Sequence, residues 1–541
     1  MPGSNDAGGG RRLIAAALVA ALAVPGLVLG AAMPAGAADL TVTSNRDAGA
    51  GTLRAALTSA TANPGPDTIT IRPGLGPIAT FTPLRFTANG DLVIRGNGAT
   101  LDSSEANGGL VFTGGRGTLT VERLTFARAD VASPNAGALV LVGVAGDLLL
   151  SDCTFRDNLA SPAPVPRARG AALIKRGTGT TLINRCSFTG NVSSGPGNTI
   201  IAGAILVEDG PLTVVGSDIS GNIGSALGDS RVAGAISGAG GPLTLVDSSV
   251  TSNIATGLDD DIATAGVMSR TGPLTITNST VAANELRGPV GRGAGGIYAT
   301  GAEARLVYAT VTDNTATGET APGGKAANVM TEAGFAPFAS VIAPAAGLPN
   351  CSVRGPVASA GHNFSDDGSC GLAAEGDRMN AGDAGLGRLT TSGRPGPVRV
   401  PSGGSPLIDA IPYDRCTVAG ASGITADERG GPRPLGGGCD IGAIEAPGAP
   451  VTTTLPPATT TVPASSTTSV PRSTTTRPGP VVSTTTVNPA SGKSGGSGGA
   501  TALGLALALI AAAAVGGILW VRRRSSGPGG APETGDGPSE A

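Results

Sequence analysis

The sequence predicts an all-β fold, a right-handed parallel β-helix of about 30–33 residues per coil. Three observations predict it. One phrase is written six times: LLLSDCTFRDN (148–158), TLINRCSFTGN (181–191), LTVVGSDISGN (212–222), LTLVDSSVTSN (243–253), LTITNSTVAAN (274–284) and ARLVYATVTDN (304–314). The closing residues Asn158, Asn191, Asn222, Asn253, Asn284 and Asn314 are 33, 31, 31, 31 and 30 residues apart, the period of a solenoid. Within the phrase, apolar residues stand eight and three places before the asparagine, with a polar residue four places before it. That is strand alternation on each side of a bend. A second apolar strand opening on glycine, such as GAILV (203–207) or GIYA (296–299), begins 18 to 21 residues before each asparagine.

The two apolar columns are an odd number of places apart, so a corner is expected at Asp152, Arg185, Gly216, Asp247, Asn278 and Tyr308. The glycine opening the second strand is expected to permit a sharp turn. If each copy is one coil, the six asparagines stack roughly 4.8 Å apart and their amides bond one another as a structural ladder. A residue repeated in every coil serves every coil, whereas a catalytic group is needed once.

From the N-terminus, residues 1–38 have the form of a secretory signal: Arg11 and Arg12, an apolar run over 13–32, and Ala35-Gly36-Ala37 before the cleavage point. Residues 39–90 read as a cap, required because a bare solenoid end exposes strand edges and apolar core. Its helix, around Leu53 to Ala60, would bury Leu53, Ala56, Leu57 and Ala60. Thr52-Leu53-Arg54-Ala55-Ala56 and Asn63-Pro64-Gly65-Pro66-Asp67-Thr68-Ile69 resemble the N-terminal region of secreted bacterial parallel β-helix proteins. The coils proper span 91–338, with one or two looser ones before the regular six.

From 339 to 446 the period fades. Asn350-Cys351, Gly361 to Cys370, Ser405 to Asp409 and Asp427 to Glu445 together resemble the choice-of-anchor Q domain of secreted bacterial proteins. The resemblance implies a domain that ends a β-helix and precedes a surface anchor, and implies no catalytic activity. Residues 447–500 are rich in Thr, Pro and Ser and then Gly, an extended stalk and a candidate for O-glycosylation. Residues 501–521 are uncharged and long enough to span a bilayer, with Trp520 at one edge. Arg522, Arg523 and Arg524 assign the tail 522–541 to the cytoplasm. Ala531-Pro532-Glu533-Thr534-Gly535 is similar to a sortase signal but follows the span, where such a signal does not act.

All six cysteines lie beyond the signal, consistent with an oxidising compartment. Cys153 and Cys186 share a column of adjacent coils, and Cys351 with Cys370 and Cys416 with Cys439 each flank one loop. Three local disulfides are expected from these placements.

The formal charge of −3 over 541 residues, with no basic stripe, argues against nucleic acid as a partner. His362, the single histidine, has no nucleophile arrangement beside it. Asp259, Asp260 and Asp261 are adjacent, whereas calcium loops space their ligands, so they read as a solvated acidic loop rather than a metal site. Asp218 and Asp247, on adjacent coils, are the best carboxylate pair available for glycoside chemistry. No catalytic residue, cofactor or metal ligand is assigned. The expectation is a single-pass, membrane-anchored surface protein of the β-helix type, non-catalytic, binding carbohydrate or a cell-surface protein. A polysaccharide lyase or glycosidase on the same fold is the alternative, and a mechanical spacer is a third reading.

Overall fold

The computed structural model describes residues 36–448 apart from short internal stretches. The signal core, the stalk, the expected span at 501–521 and the tail lie outside the described residues. Among the described residues no helix is long and apolar enough to cross a membrane. The chain forms a right-handed parallel β-solenoid of about nine turns with almost no helix.

Every phrase pairs in parallel and in register with the next; for example Leu212, Val214 and Ile219 lie beside Leu243, Leu245 and Val250. The two apolar columns face the core at 0–1% exposure, from Leu150 to Leu306 and from Phe155 to Val311. Phe126, Phe155 and Phe188 stack face to face at 4.5 and 4.6 Å, so one ring per coil fills the same slot. The corner column is left-handed throughout, with φ between 48° and 55°. A second left-handed corner, at Asp157, Gly190, Gly221, Ser252, Ala283 and Asp313, immediately precedes each asparagine.

The ladder forms. Each Nδ2 donates to the next Oδ1 at 2.8–2.9 Å, from Asn158 to Asn314, and again to a backbone carbonyl of the neighbouring coil. Each backbone N–H also donates to that Oδ1, as Asn222 does to Asn253 at 2.9 Å. Two rungs lie beyond the period: Asn314 donates to Asn328 and Asn328 to Asn350. Their buried amides are thus partnered, which burial demands.

The expected Cys153–Cys186 bridge is absent: both are buried free thiols. Their column is a second ladder. The backbone N–H of Cys153 donates to Cys186 Sγ, Cys186 to Ser217 Oγ, Ser217 to Ser248 and Ser248 to Ser279. Each tip points at the carbonyl two residues back in its own coil. The two side chains are therefore parallel, and the sulfurs do not converge as a disulfide needs. Cys351–Cys370 and Cys416–Cys439 are bonded as expected.

Between asparagine and glycine, where the sequence reads as variable insert, lie two further six-stranded sheets, typified by Ile223–Ala226 and Arg231–Ala233. They form a side lobe with its own small core around Ile201, Val232, Ala263 and Leu286. The chain then enters a ten-stranded sheet containing Ile205–Val207, Val267–Ser269 and Ile297–Ala299. The entry glycines answer to close approach rather than to the expected backbone freedom: a Cβ on Gly203 would lie 2.0 Å from the Gly234 carbonyl oxygen.

The helix Leu53–Ala62 buries Leu53, Ala56, Leu57 and Ala60 as expected, with Thr52 capping it by accepting from the Ala55 N–H. It packs against Leu84–Ala88 at the N-terminal end of the core.

Candidate functional site

The polar column four places before each asparagine points away from the core, as the alternation requires. Its exposure divides in two. Thr154, Ser187 and Asp218 are partly open, whereas Ser249, Thr280 and Thr310 are 0–2% exposed. The chain's own C-terminal region covers the second group. Ser249 Oγ donates to the Pro397 carbonyl, Thr280 Oγ1 to Glu428 Oε2, and Thr310 Oγ1 accepts from the Ala443 N–H at 3.0 Å.

Arg433 fastens this cover. Its guanidinium is fully buried, 2.7 Å from Glu445 Oε1 and 3.9 Å above the Tyr308 ring. It also donates to the carbonyls of Asp440 and Gly442 and to Asn278 Oδ1. The remaining motif carboxylates tie turns: Asp427 accepts from Arg429 N and Gly431 N, Asp440 from Asp409 N and Ala446 N, and Glu445 from Leu435 N and Asp440 N.

Where the cover stops, the open part of the column borders a cavity of about 180 Å³. Its walls carry Asp152, Thr154, Arg185, Ser187 and Asp218. Arg185 grips Asp152 with two bonds, Nε to Oδ1 at 2.9 Å and Nη2 to Oδ2 at 2.7 Å. Asp218 stands under Gly396, where a Cβ would come within 2.8 Å of its carboxyl. Its Oδ1 is buried without a hydrogen-bond partner among the described residues. Burial pushes the Asp218 carboxyl up to about 6. The cavity thus offers hydroxyls, an ion pair and one carboxyl that changes charge near neutral pH.

The expected pair Asp218 and Asp247 is not brought together in this cavity. Asp247 bonds Asn278 at 2.6 Å on the covered side, and burial raises it, with nearby Asp427 adding repulsion. Glu428, wholly buried there, is raised well above its ordinary value by desolvation, with Asp247 and Asp427 adding to it. Asp218 shares its cavity with Asp152 instead. The signal for that was visible: Asp152 and Arg185 hold the same column in adjacent copies with opposite charge.

Other nominated residues are structural. His362 sits in a turn at φ 56°, its ring edge-on to Phe338, and burial lowers its affinity for a proton. Asp261 corrects the expectation of a solvated loop. It is fully buried, and its carboxylate accepts from Ser230 N at 2.7 Å and Leu258 N at 2.5 Å. Asp259 and Asp260 lie outside the described residues. Among the described residues no cluster of three or more His, Cys, Asp or Glu side chains is placed to hold a metal.

No family model matches the chain, and no curated protein matches it. Among solved structures it is similar to one titled crystal structure of pectate lyase Pel9A. The identity is 12% and the TM-score 0.33, over 76% of this chain and 97% of that one.

Proposed function

We propose that the chain is a surface binding protein, exported by the signal at 1–38 and held by the span at 501–521. In this reading residues 39–338 are a rigid presenting rod, residues 339–446 a choice-of-anchor Q-like end, and the Thr- and Pro-rich stretch a spacer. The observation that carries it is the division of the outward polar column. One part is sealed by buried intramolecular bonds, and the other is left as a polar cavity beside Asp218. Hydroxyls, a carboxyl and an arginine–carboxylate pair are the groups that recognise a hydroxyl-rich ligand such as a saccharide.

A polysaccharide-degrading enzyme is the second reading, favoured by one observation. A carboxyl pushed up to about 6 is poised for proton transfer near neutral pH. Incubating residues 39–446 with a panel of cell-wall and plant polysaccharides, scoring retention and chain length, separates the two. Retention without shortening, weakened by Thr154→Val and Ser187→Ala, is expected. Shortened chains, abolished by Asp218→Asn, would replace the binding reading with the enzymatic one, and neither effect would remove both. Retention of the full-length chain in the membrane fraction tests the anchor.

A further inference from the structure

The second short sheet and the ten-stranded sheet meet at an angle, and the outer side of that corner is a groove running along the solenoid. Its floor is apolar in every coil but one: Leu206, Met268, Tyr298 and Met330 face it from the ten-stranded sheet, with Ser237 in the coil between Leu206 and Met268, backed by Ala233 and Ala294. These side chains are 0–1% exposed although they point away from the main core. Concavity buries them.

The walls of the groove carry charge in two register columns. Pairing along the ten-stranded sheet puts Glu208, Ala239, Arg270, Thr300 and Glu332 one residue beyond the strand ends on one wall. On the other wall Arg231, Ile262 and Arg292 occupy one column of consecutive coils. Toward both ends, opposite charges meet. Arg176 bonds Glu208, and Arg292 lies 3.2 Å from Glu332, which also accepts from the Tyr298 hydroxyl at 3.1 Å.

Glu332 also lies 3.4 Å from Arg354, and with Arg292 it lines the same cavity as the next two arginines, where positive charge is in excess. Arg231 and Arg270 line a cavity of about 320 Å³ with Met268 and Tyr298, and neither has a carboxylate within ion-pair distance among the described residues. Arg231 is exposed and Arg270 half-buried. Burial, and after it the neighbouring charge of Arg231, push the Arg270 guanidinium below its ordinary value against the opposing pull of Glu208, so the two cations share one space. Like charges that Glu208 and Glu332 offset only in part, at a partly desolvated site, oppose the empty state, and an anion between them relieves it. Arginine supplies planar, multiple donors suited to carboxylate, sulfate or phosphate.

We infer that the groove segment between Arg231 and Arg270 is an oxyanion site, taking a carboxylate, sulfate or phosphate group whose carrier rests against Met268 and Tyr298. The site is on a different face of the coils from the Asp218 cavity and does not depend on the reading given to that cavity. The shared chemistry is the oxyanion; its source is either a free inorganic ion or an acid group on a saccharide.

The test is calorimetric titration of the full-length protein in a non-ionic detergent. The probes are inorganic sulfate, a uronic acid trisaccharide and the neutral trisaccharide of the same linkage. Arg231→Gln and Arg270→Gln are compared with Arg156→Gln, which removes a half-exposed arginine paired with Asp157 elsewhere on the molecule. Neither groove substitution strands a partner, and thermal unfolding confirms that each variant is folded. Binding of sulfate or of the acidic trisaccharide is expected. It should weaken at least tenfold in each groove variant, stay unchanged in Arg156→Gln, and fall with added salt. Tighter binding of the trisaccharide than of sulfate assigns the anion to a saccharide, and equal binding assigns it to a free ion. Failure of both probes to bind the wild type at 10-fold molar excess and above, up to ~10 mM, overturns the site. So does affinity unchanged in both groove variants, or equal affinity for the neutral trisaccharide.

Discussion

The coils from Leu148 to Asn314 are tightly buried, whereas the segment from Ala339 to Ala446 leaves much of its length half-buried or exposed, and the two are held in different ways. In the coils each stabilising residue is used once per turn, so the asparagine amides, the stacked phenylalanines and the serine–cysteine column share a register and support their neighbours. In the C-terminal segment, apart from the further rungs of the two ladders at Ser340 and Asn350, each residue is used once. Arg433 alone links Glu445, Asp440, Gly442, Asn278 and Tyr308, and two disulfides close the loops. Repetition distributes stability along the rod, whereas the segment concentrates it at a few points.

The sharpest way to break this comparison is Arg433→Met. It leaves Glu445 buried without its cation, and breaking a buried pair from one side costs about 3–5 kcal/mol. The loss should be confined to the segment. Hydrogen exchange should rise around 396–446 and across Ser249, Thr280 and Thr310, while the ladder amides from Asn158 to Asn222 stay protected. Exchange rising equally over all coils would show that the segment and the rod unfold as one unit.

Asn222→Leu tests the other side. It removes the acceptor for both the backbone N–H and Nδ2 of Asn191, two buried donors. At about 1–3 kcal/mol for each stranded group, with partial relaxation, the expected loss is about 2–4 kcal/mol in urea unfolding. The ladder on either side keeps its own rungs, so the loss should be independent of Arg433→Met. Coupling above about 0.5 kcal/mol between the two would contradict the division.

Asp218 stands at the boundary of the two regions, beneath Gly396. Its folded value of about 6 lies above the ordinary aspartate value of 3.8. A raised acid binds more protons folded than unfolded between these values, so stability falls as pH rises from about 4 to about 6 and the cost persists above. The difference corresponds to about 2–3 kcal/mol at pH 7. Asp218→Asn should therefore stabilise the protein by up to that amount at pH 7 and have little effect at pH 3.5. A variant that stabilises equally at both pH values would show that the carboxyl is not raised.

The same contrast explains what the sequence disclosed. Roles repeated once per coil leave a column, and columns can be read: the inward apolar positions, the left-handed corner from Asp152 to Tyr308 and the amide ladder all stand where the period places them. The two side-lobe sheets were hidden because their strands are two to four residues long and their connecting loops vary in length. The cover over Ser249, Thr280 and Thr310 was hidden for another reason. Its contacts, such as Thr280 to Glu428 across 148 residues, occur once and leave no periodic trace. The same polar column therefore reads identically in the open and sealed coils, and only the fold-back separates Asp218 from its register partner Ser249. Asp261 misled in the opposite sense, since a run of three carboxylates reads as solvated although its last member caps backbone N–H groups inside the lobe.

The smallest effect is expected where repetition is strongest. Cys153 and Cys186 occupy positions that Ser217, Ser248 and Ser279 fill in the next three coils with the same hydrogen bonds. A serine there keeps both the backbone N–H acceptor and the donor to its own coil. The gain from a stronger hydroxyl bond opposes the loss of a more apolar sulfur. The double variant Cys153→Ser, Cys186→Ser should change unfolding free energy by less than about 1 kcal/mol. Thiol titration of the unfolded wild type without reductant should find two free thiols per chain, both lost in the variant. A large destabilisation together with no free thiols in the wild type would mean that the pair is oxidised after all. The column would then be a ladder in three coils and a crosslink in two, and the even spread of stability along the rod would fail at its N-terminal end.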